Sequence, residues 1–90
     1  MIPLRVLIVE DSKTDTILLL RELQKIGFSP IHKRVDTAKE MEYALTEEQW
    51  DVILCDHSMP SFSSLDALRL LRSKGLDLPF VIALFLLFTL

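Results

Sequence analysis

The chain has 90 residues, one small domain near the lower end of what folds alone. Half of its residues are hydrophobic, which excludes a disordered chain, and a formal net charge of −3 argues against direct nucleic-acid binding. The densest basic run, His32-Lys33-Arg34, is too short to form an electrostatic footprint for a polyanion. The one cysteine, Cys55, excludes an intramolecular disulfide and suits a reducing compartment. "MIPLRVLIVED" reaches two acids before any long apolar run, so no secretory signal is expected and a cytoplasmic location is.

Residues 4–9 are rich in Val, Ile and Leu with poor alternation, the pattern of a strand buried on both faces. Ser12 is placed to cap a helix with Thr16, Leu19, Leu20, Leu23 and Ile26 on one stripe, and Gly27 to end it. Residues 30–35 read as a shorter, more polar strand nearer a sheet edge. Thr37 and Glu40 have capping-box spacing ahead of an apolar stripe of Ala38, Met41, Ala44 and Leu45. Residues 50–56 form the third strand, with Trp50 covering its start. Ser63 or Ser64 caps a third helix with Leu65, Leu68 and Leu71 inward and Gly75 past its end. Pro79 introduces a fourth strand at Phe80. The tail "FVIALFLLFTL", residues 80–90, carries no charge but is shorter than the ~20 residues needed to span a bilayer. No membrane partner is expected; the tail reads as a buried strand that runs on, or as an adhesive end.

The order β-α-β-α-β-α-β with short connections implies right-handed crossovers and a parallel sheet covered on both faces. Sites in such sheets lie beyond the carboxyl ends of the strands. Glu10 and Asp11 follow strand one and Asp56 ends strand three, so three carboxylates converge if those strands are neighbours. A hard divalent cation such as Mg2+ would relieve their repulsion, and a carboxylate beside it can act as a nucleophile toward phosphorus. The plainer alternative is that the acids cap helices or line loops with no shared task.

"VLIVEDS", "ILCDHSMP" and "SSLDALRLLRS" together resemble the receiver domain of two-component response regulators, over residues 4 to about 83. The resemblance implies an α/β fold with an open parallel sheet of the flavodoxin/CheY-like type in the order 2-1-3-4. The fourth helix and the fifth strand–helix unit of the family are lacking in this one domain of residues 1–90. It implies that Asp56 accepts a phosphoryl group from a histidine kinase or phosphotransfer protein. Glu10, Asp11 and Asp56 would hold Mg2+, with the Ser58 backbone carbonyl as a further ligand, while Met59 and Pro60 shape the loop. Such a domain signals rather than turning over a substrate, its chemistry confined to its own aspartate.

The chain departs from the family in several places. Leu84 stands where a Ser or Thr ends strand four, Thr89 comes five positions too late, and no residue matches the family lysine. The glycine usual after Met-Pro is replaced within residues 61–64. The expected consequences are an impaired output and an unprotected fourth strand, with residues 80–90 pairing between chains in a swapped or edge-paired oligomer. A module that self-associates without phosphate is the alternative function. An aspartyl-phosphate hydrolase would carry a second aspartate two residues after the nucleophile, where this chain has Ser58. His57 and His32 are expected to be loop or surface residues, Cys55 a small buried hydrophobe. Asp15, Asp36, Asp51, Asp66 and Asp77 have capping or turn explanations, and Arg69 with Arg72 is too sparse for nucleic acid.

Overall fold

In the computed structural model, which describes residues 1–57 and 59–83, strands and helices alternate along the chain. They are β1 (Ile2–Val9), α1 (Lys13–Lys25), β2 (Phe28–Val35), α2 (Ala38–Glu47), β3 (Val52–Asp56), α3 (Ser64–Ser73) and β4 (Phe80–Ala83). The strands form one sheet in the order β2-β1-β3-β4, all neighbours parallel, as expected. Successive residues of a strand point to opposite faces, and here each face has its own core. Leu7, Val9, Ile53 and Cys55 pack with Met41, Ala44 and Leu45 of α2 and with Ala67 and Leu71 of α3. Val6, Ile8 and Leu54 pack on the other face with Leu19 of α1. Because both faces of β1 are covered, its apolar run does not alternate.

All three helices start the same way. The hydroxyls of Ser12, Thr37 and Ser63 accept the backbone N–H of Asp15, Glu40 and Asp66, each at 3.1 Å. Each bond satisfies one of the donors that a helix leaves free at its start, a contribution of about 1 kcal/mol. The cap of α3 is therefore Ser63 and not Ser64. The second half of the expected capping box is displaced by one residue, since the Glu40 carboxylate accepts from the Asp36 N–H at 3.1 Å. Gly27, at φ +103°, turns the chain from α1 into β2, and its carbonyl accepts from the Ile2 N–H.

Several expectations need correction. Strands β1 and β2 begin two residues early, at Ile2 and Phe28, which pair with each other. Pro3 and Pro30 are tolerated because β1 has no neighbour toward β3 before Val6, and β2 is an outer strand. Strand β3 begins at Val52 rather than Trp50, because the Asp51 carboxylate accepts the Arg5 N–H at 2.7 Å while the Asp51 N–H donates to the Arg5 carbonyl at 2.8 Å. Trp50 turns away, buried, with its indole N–H on the Ala44 carbonyl at 3.0 Å. On α3, the inward residues are Ala67, Leu70 and Leu71; Leu68 is half-buried and Leu65 is 53% exposed. Ile26 follows the last turn of α1 and is 70% exposed, and Ala38 is exposed on the first turn of α2. The part of the tail beyond Ala83, Leu84 and Thr89 included, lies outside the described residues.

These positions separate burial from mere hydrophobicity. Ile53→Ala, at a fully buried site, should destabilise the domain by about 2–5 kcal/mol, whereas Leu65→Ala should change it by less than about 0.5 kcal/mol. Urea denaturation of both variants checks the pair, and equal losses would contradict the inward face assigned to α3.

Candidate functional site

The register of β1 against β3 sets Val9 opposite Cys55, so the next residues of both strands emerge at the same end of the sheet. There the carboxylates of Glu10, Asp11 and Asp56 come together, each offering an oxygen within 4.8 Å of the others. Their environments differ. Glu10 is only 3% exposed, Asp11 is exposed, and Asp56 is half-buried at the end of β3. The Glu10 backbone continues the sheet, its N–H donating to the Val35 carbonyl at 2.9 Å. Its side chain accepts the Ser12 N–H at 2.9 Å, and the Arg34 guanidinium donates to its carbonyl at 3.0 Å. The same guanidinium lies 3.6 Å from the Asp36 carboxylate.

Burial pushes the Glu10 carboxyl up to about 7, with the Ser12 N–H opposing and the acids Asp11, Asp56 and Asp15 adding to the rise. A cluster of this kind favours either a shared proton or a cation. Three carboxylates offer only oxygen donors, which suits a hard divalent ion of the Mg2+ class. Cys55 takes no part. Its thiol is pushed up to about 12 by burial, and by Asp56 and Glu10, and it packs in the core as a small hydrophobe. Neither Cys55 nor the exposed His57 joins the group of acids.

The sequence-expected site residues divide into three sets. Glu10, Asp11 and Asp56 are brought together. Met59 is buried in the larger core, which ties the loop after β3 to the fold, and Pro60 is exposed. Ser58 lies outside the described residues. Sequence reading missed two contributors. Phe62, 5% exposed, enters the same core as Met59, so the loop is held at two points. Its signal was a large aromatic among serines. Arg34 was missed because its role depends on β2 lying beside β1, with Ile8 opposite Arg34.

The family model of the response regulator receiver domain matches residues 6–84 of this chain. Sensory/regulatory protein RpfC of Xanthomonas campestris pv. campestris is 32% identical over 69 residues, covering 77% of this chain and 9% of RpfC. Histidine protein kinase 1 of Candida albicans is 32% identical over 93 residues, covering 91% of this chain and 4% of the kinase. The chain thus spans less than a tenth of the length of either curated relative. Among solved structures, the receiver domain of sensor histidine kinase PA1611 from Pseudomonas aeruginosa PAO1 superposes with a TM-score of 0.71 at 21% identity, covering 89% of this chain and 66% of that one. That neighbour carries a magnesium ion coordinated in its active-site cleft. The match of the family model over nearly the whole sheet, with the acid cluster inside it, establishes that the chain belongs to the response regulator receiver domain family of two-component signalling.

Proposed function

We propose that this domain is a phosphoacceptor, taking a phosphoryl group onto Asp56 from the phosphohistidine of a histidine kinase or phosphotransfer protein. The observation that carries the reading is the convergence of Glu10, Asp11 and Asp56 at the carboxyl end of the sheet. An Asp56 oxygen attacks phosphorus, the bond from phosphorus to the donor imidazole breaks, and the freed imidazole takes up a proton. Asp56 becomes an acyl phosphate while the donor returns to an ordinary histidine. A Mg2+ ion held by Glu10, Asp11 and Asp56, with the Ser58 carbonyl as a further ligand, would neutralise charge on the phosphoryl oxygens. The chain's own part is positioning. Arg34 and the Val35 carbonyl hold the Glu10 backbone, and Met59 with Phe62 ties down the loop beyond Asp56. A cytoplasmic location goes with this reading. Leu84 offers no hydroxyl where the family has one, which weakens the coupling of phosphorylation to shape.

A second reading, self-association without phosphate, rests on the outer strand β4. Val81 and Ile82 are 48% and 46% exposed. They border an apolar groove of about 240 Å³ shared with Leu19, Leu23 and Ile26 of α1. Among the described residues β4 is an outer strand, and pairing of β4 between two copies would cover its edge.

Three measurements test these readings. Incubation with Mg2+ and acetyl phosphate should add one phosphoryl group by intact mass, and Asp56→Asn should abolish it; a folded wild-type protein that gains nothing would remove the phosphoacceptor reading. The second concerns Glu10. Its raised value means that the folded state holds a proton which the unfolded chain releases, so stability is full below about pH 4.5 and is lost as pH rises through about 7. Without divalent cations, the Glu10 contribution should fall by about 3 kcal/mol between pH 4.5 and 8, and Glu10→Gln should flatten that slope. Mg2+ at pH 8 should restabilise the wild type far more than Glu10→Gln; equal slopes and equal Mg2+ responses in thermal melts would detach Glu10 from the site. The third is light scattering at high protein concentration. A dimer that dissociates in Ile82→Lys supports pairing through β4, and a wild-type monomer eliminates it.

A further inference from the structure

At the end of the sheet opposite the acid cluster, the turn from α2 to β3 and the connection from α3 to β4 enclose a concavity of about 490 Å³. Its floor is apolar, made by Leu45, Trp50, Leu76 and Leu78, and Leu76 is 40% exposed although it has a large aliphatic side chain. Its rim carries Glu47 and Asp77, both exposed. Among the described residues neither has an ion-pair partner, whereas the third rim acid, Glu48, engages both Arg5 at 3.1 Å and Lys33 at 3.2 Å. The nearby cations are thus committed to Glu48, and the remaining rim charge is negative. The wall itself is firm: the Trp50 indole bonds to the Ala44 carbonyl, and the Arg5 guanidinium covers the ring at 5.4 Å from its centroid. A site of this size, with an apolar floor and a few converging charges, has the form of a binding pocket.

We propose that this basal pocket docks a basic segment of a partner protein, in which a large aliphatic side chain fills the floor while flanking lysines or arginines meet Glu47 and Asp77. The charge pattern selects this occupant. An acidic segment would be repelled by the rim, a purely apolar one would gain nothing from Glu47 and Asp77, and a basic one is attracted by both. The pocket lies at the amino-terminal ends of β3 and β4, so occupancy is independent of the state of Asp56.

Trp50 is the chain's only tryptophan and reports directly on the pocket. The probe is a short synthetic peptide with leucines set between lysines and no aromatic residue, titrated into the 90-residue chain while Trp50 fluorescence is followed. Saturable binding is expected that weakens with added salt, since the screening length falls from about 10 Å at 0.1 M to about 3 Å at 1 M. Combined Glu47→Lys and Asp77→Lys should weaken binding at least about tenfold, because both attractions become repulsions. These side chains are exposed, so the fold should tolerate the change, and a urea melt verifies it. Leu76→Ser should weaken binding as well, and Asp56→Asn should leave it unchanged. No saturable change, equal binding of a peptide with glutamates in place of the lysines, or undiminished binding by the double variant would each overturn the proposal.

Discussion

Strand β1 pairs with β3 over four residues, from Val6 opposite Val52 to Val9 opposite Cys55, and the position of the acids depends on that register. In a sheet with one wet face, a slip of one residue would expose the hydrophobic set, and burial alone would forbid it. That safeguard is weak here, because both faces of β1 are apolar and both are covered. The register is marked instead by polar groups at the start of the ladder. The Arg5 and Asp51 backbones, with the Asp51 carboxylate, exchange hydrogen bonds of 2.7 and 2.8 Å, and the Arg5 Nε donates to the Gln49 carbonyl at 2.7 Å. A polar clasp at one end of the sheet thus fixes which residues meet at the other. The chemistry of Glu10 and Asp56 is set up by groups that never touch them.

Within the cluster, Glu10 bears most of the burial and Asp11 almost none, so the two neighbours are not equivalent oxygen donors. An ionised buried carboxylate is costly unless it is hydrogen-bonded or paired, and the Ser12 N–H supplies one bond. Ser12 also caps α1 through its hydroxyl, so the start of the helix and the geometry of the site rest on one residue. Burial still prevails over that bond, which is why the Glu10 carboxyl sits near neutrality. A divalent cation that displaces the proton would turn a destabilised group into a strong ligand. The mutual repulsion of the acids and their suitability as donors to a hard cation then have the same origin.

Much of this was legible from residue patterns, and the exceptions share a cause. The alternation of elements and the caps at Ser12 and Thr37 follow from local signals at fixed spacings, whereas the meeting of the three acids also required strands one and three to be neighbours. Sheet order came with the family resemblance, and the structure bears it out. Leu65 misled because three leucines at helical spacing define a stripe without saying which stripe faces in; the small Ala67 allows α3 to approach the sheet on its own side. Trp50 looked like the first residue of a strand, yet the Asp51 side chain takes over the pairing at that point. The unequal burial of Glu10 and Asp11, and the reach of Arg34 to the Glu10 carbonyl, depend on β2 crossing beside β1. A linear pattern carries no such information.

The two outer strands and the overall charge complete the picture. Strand β2 is guarded by Pro30 and by the charged Lys33 and Arg34, devices that discourage pairing with another chain, while β4 presents Val81 and Ile82. Among the described residues β4 is thus the less guarded outer strand, and its Ala83 is the ladder neighbour of Asp56. Charge is distributed just as unevenly. Ten lysines and arginines stand against thirteen acids, and three of those acids meet in the cluster of Glu10, Asp11 and Asp56. A bound divalent cation would offset charge within that cluster. The acid cluster and the β4 edge thus lie side by side in the sheet.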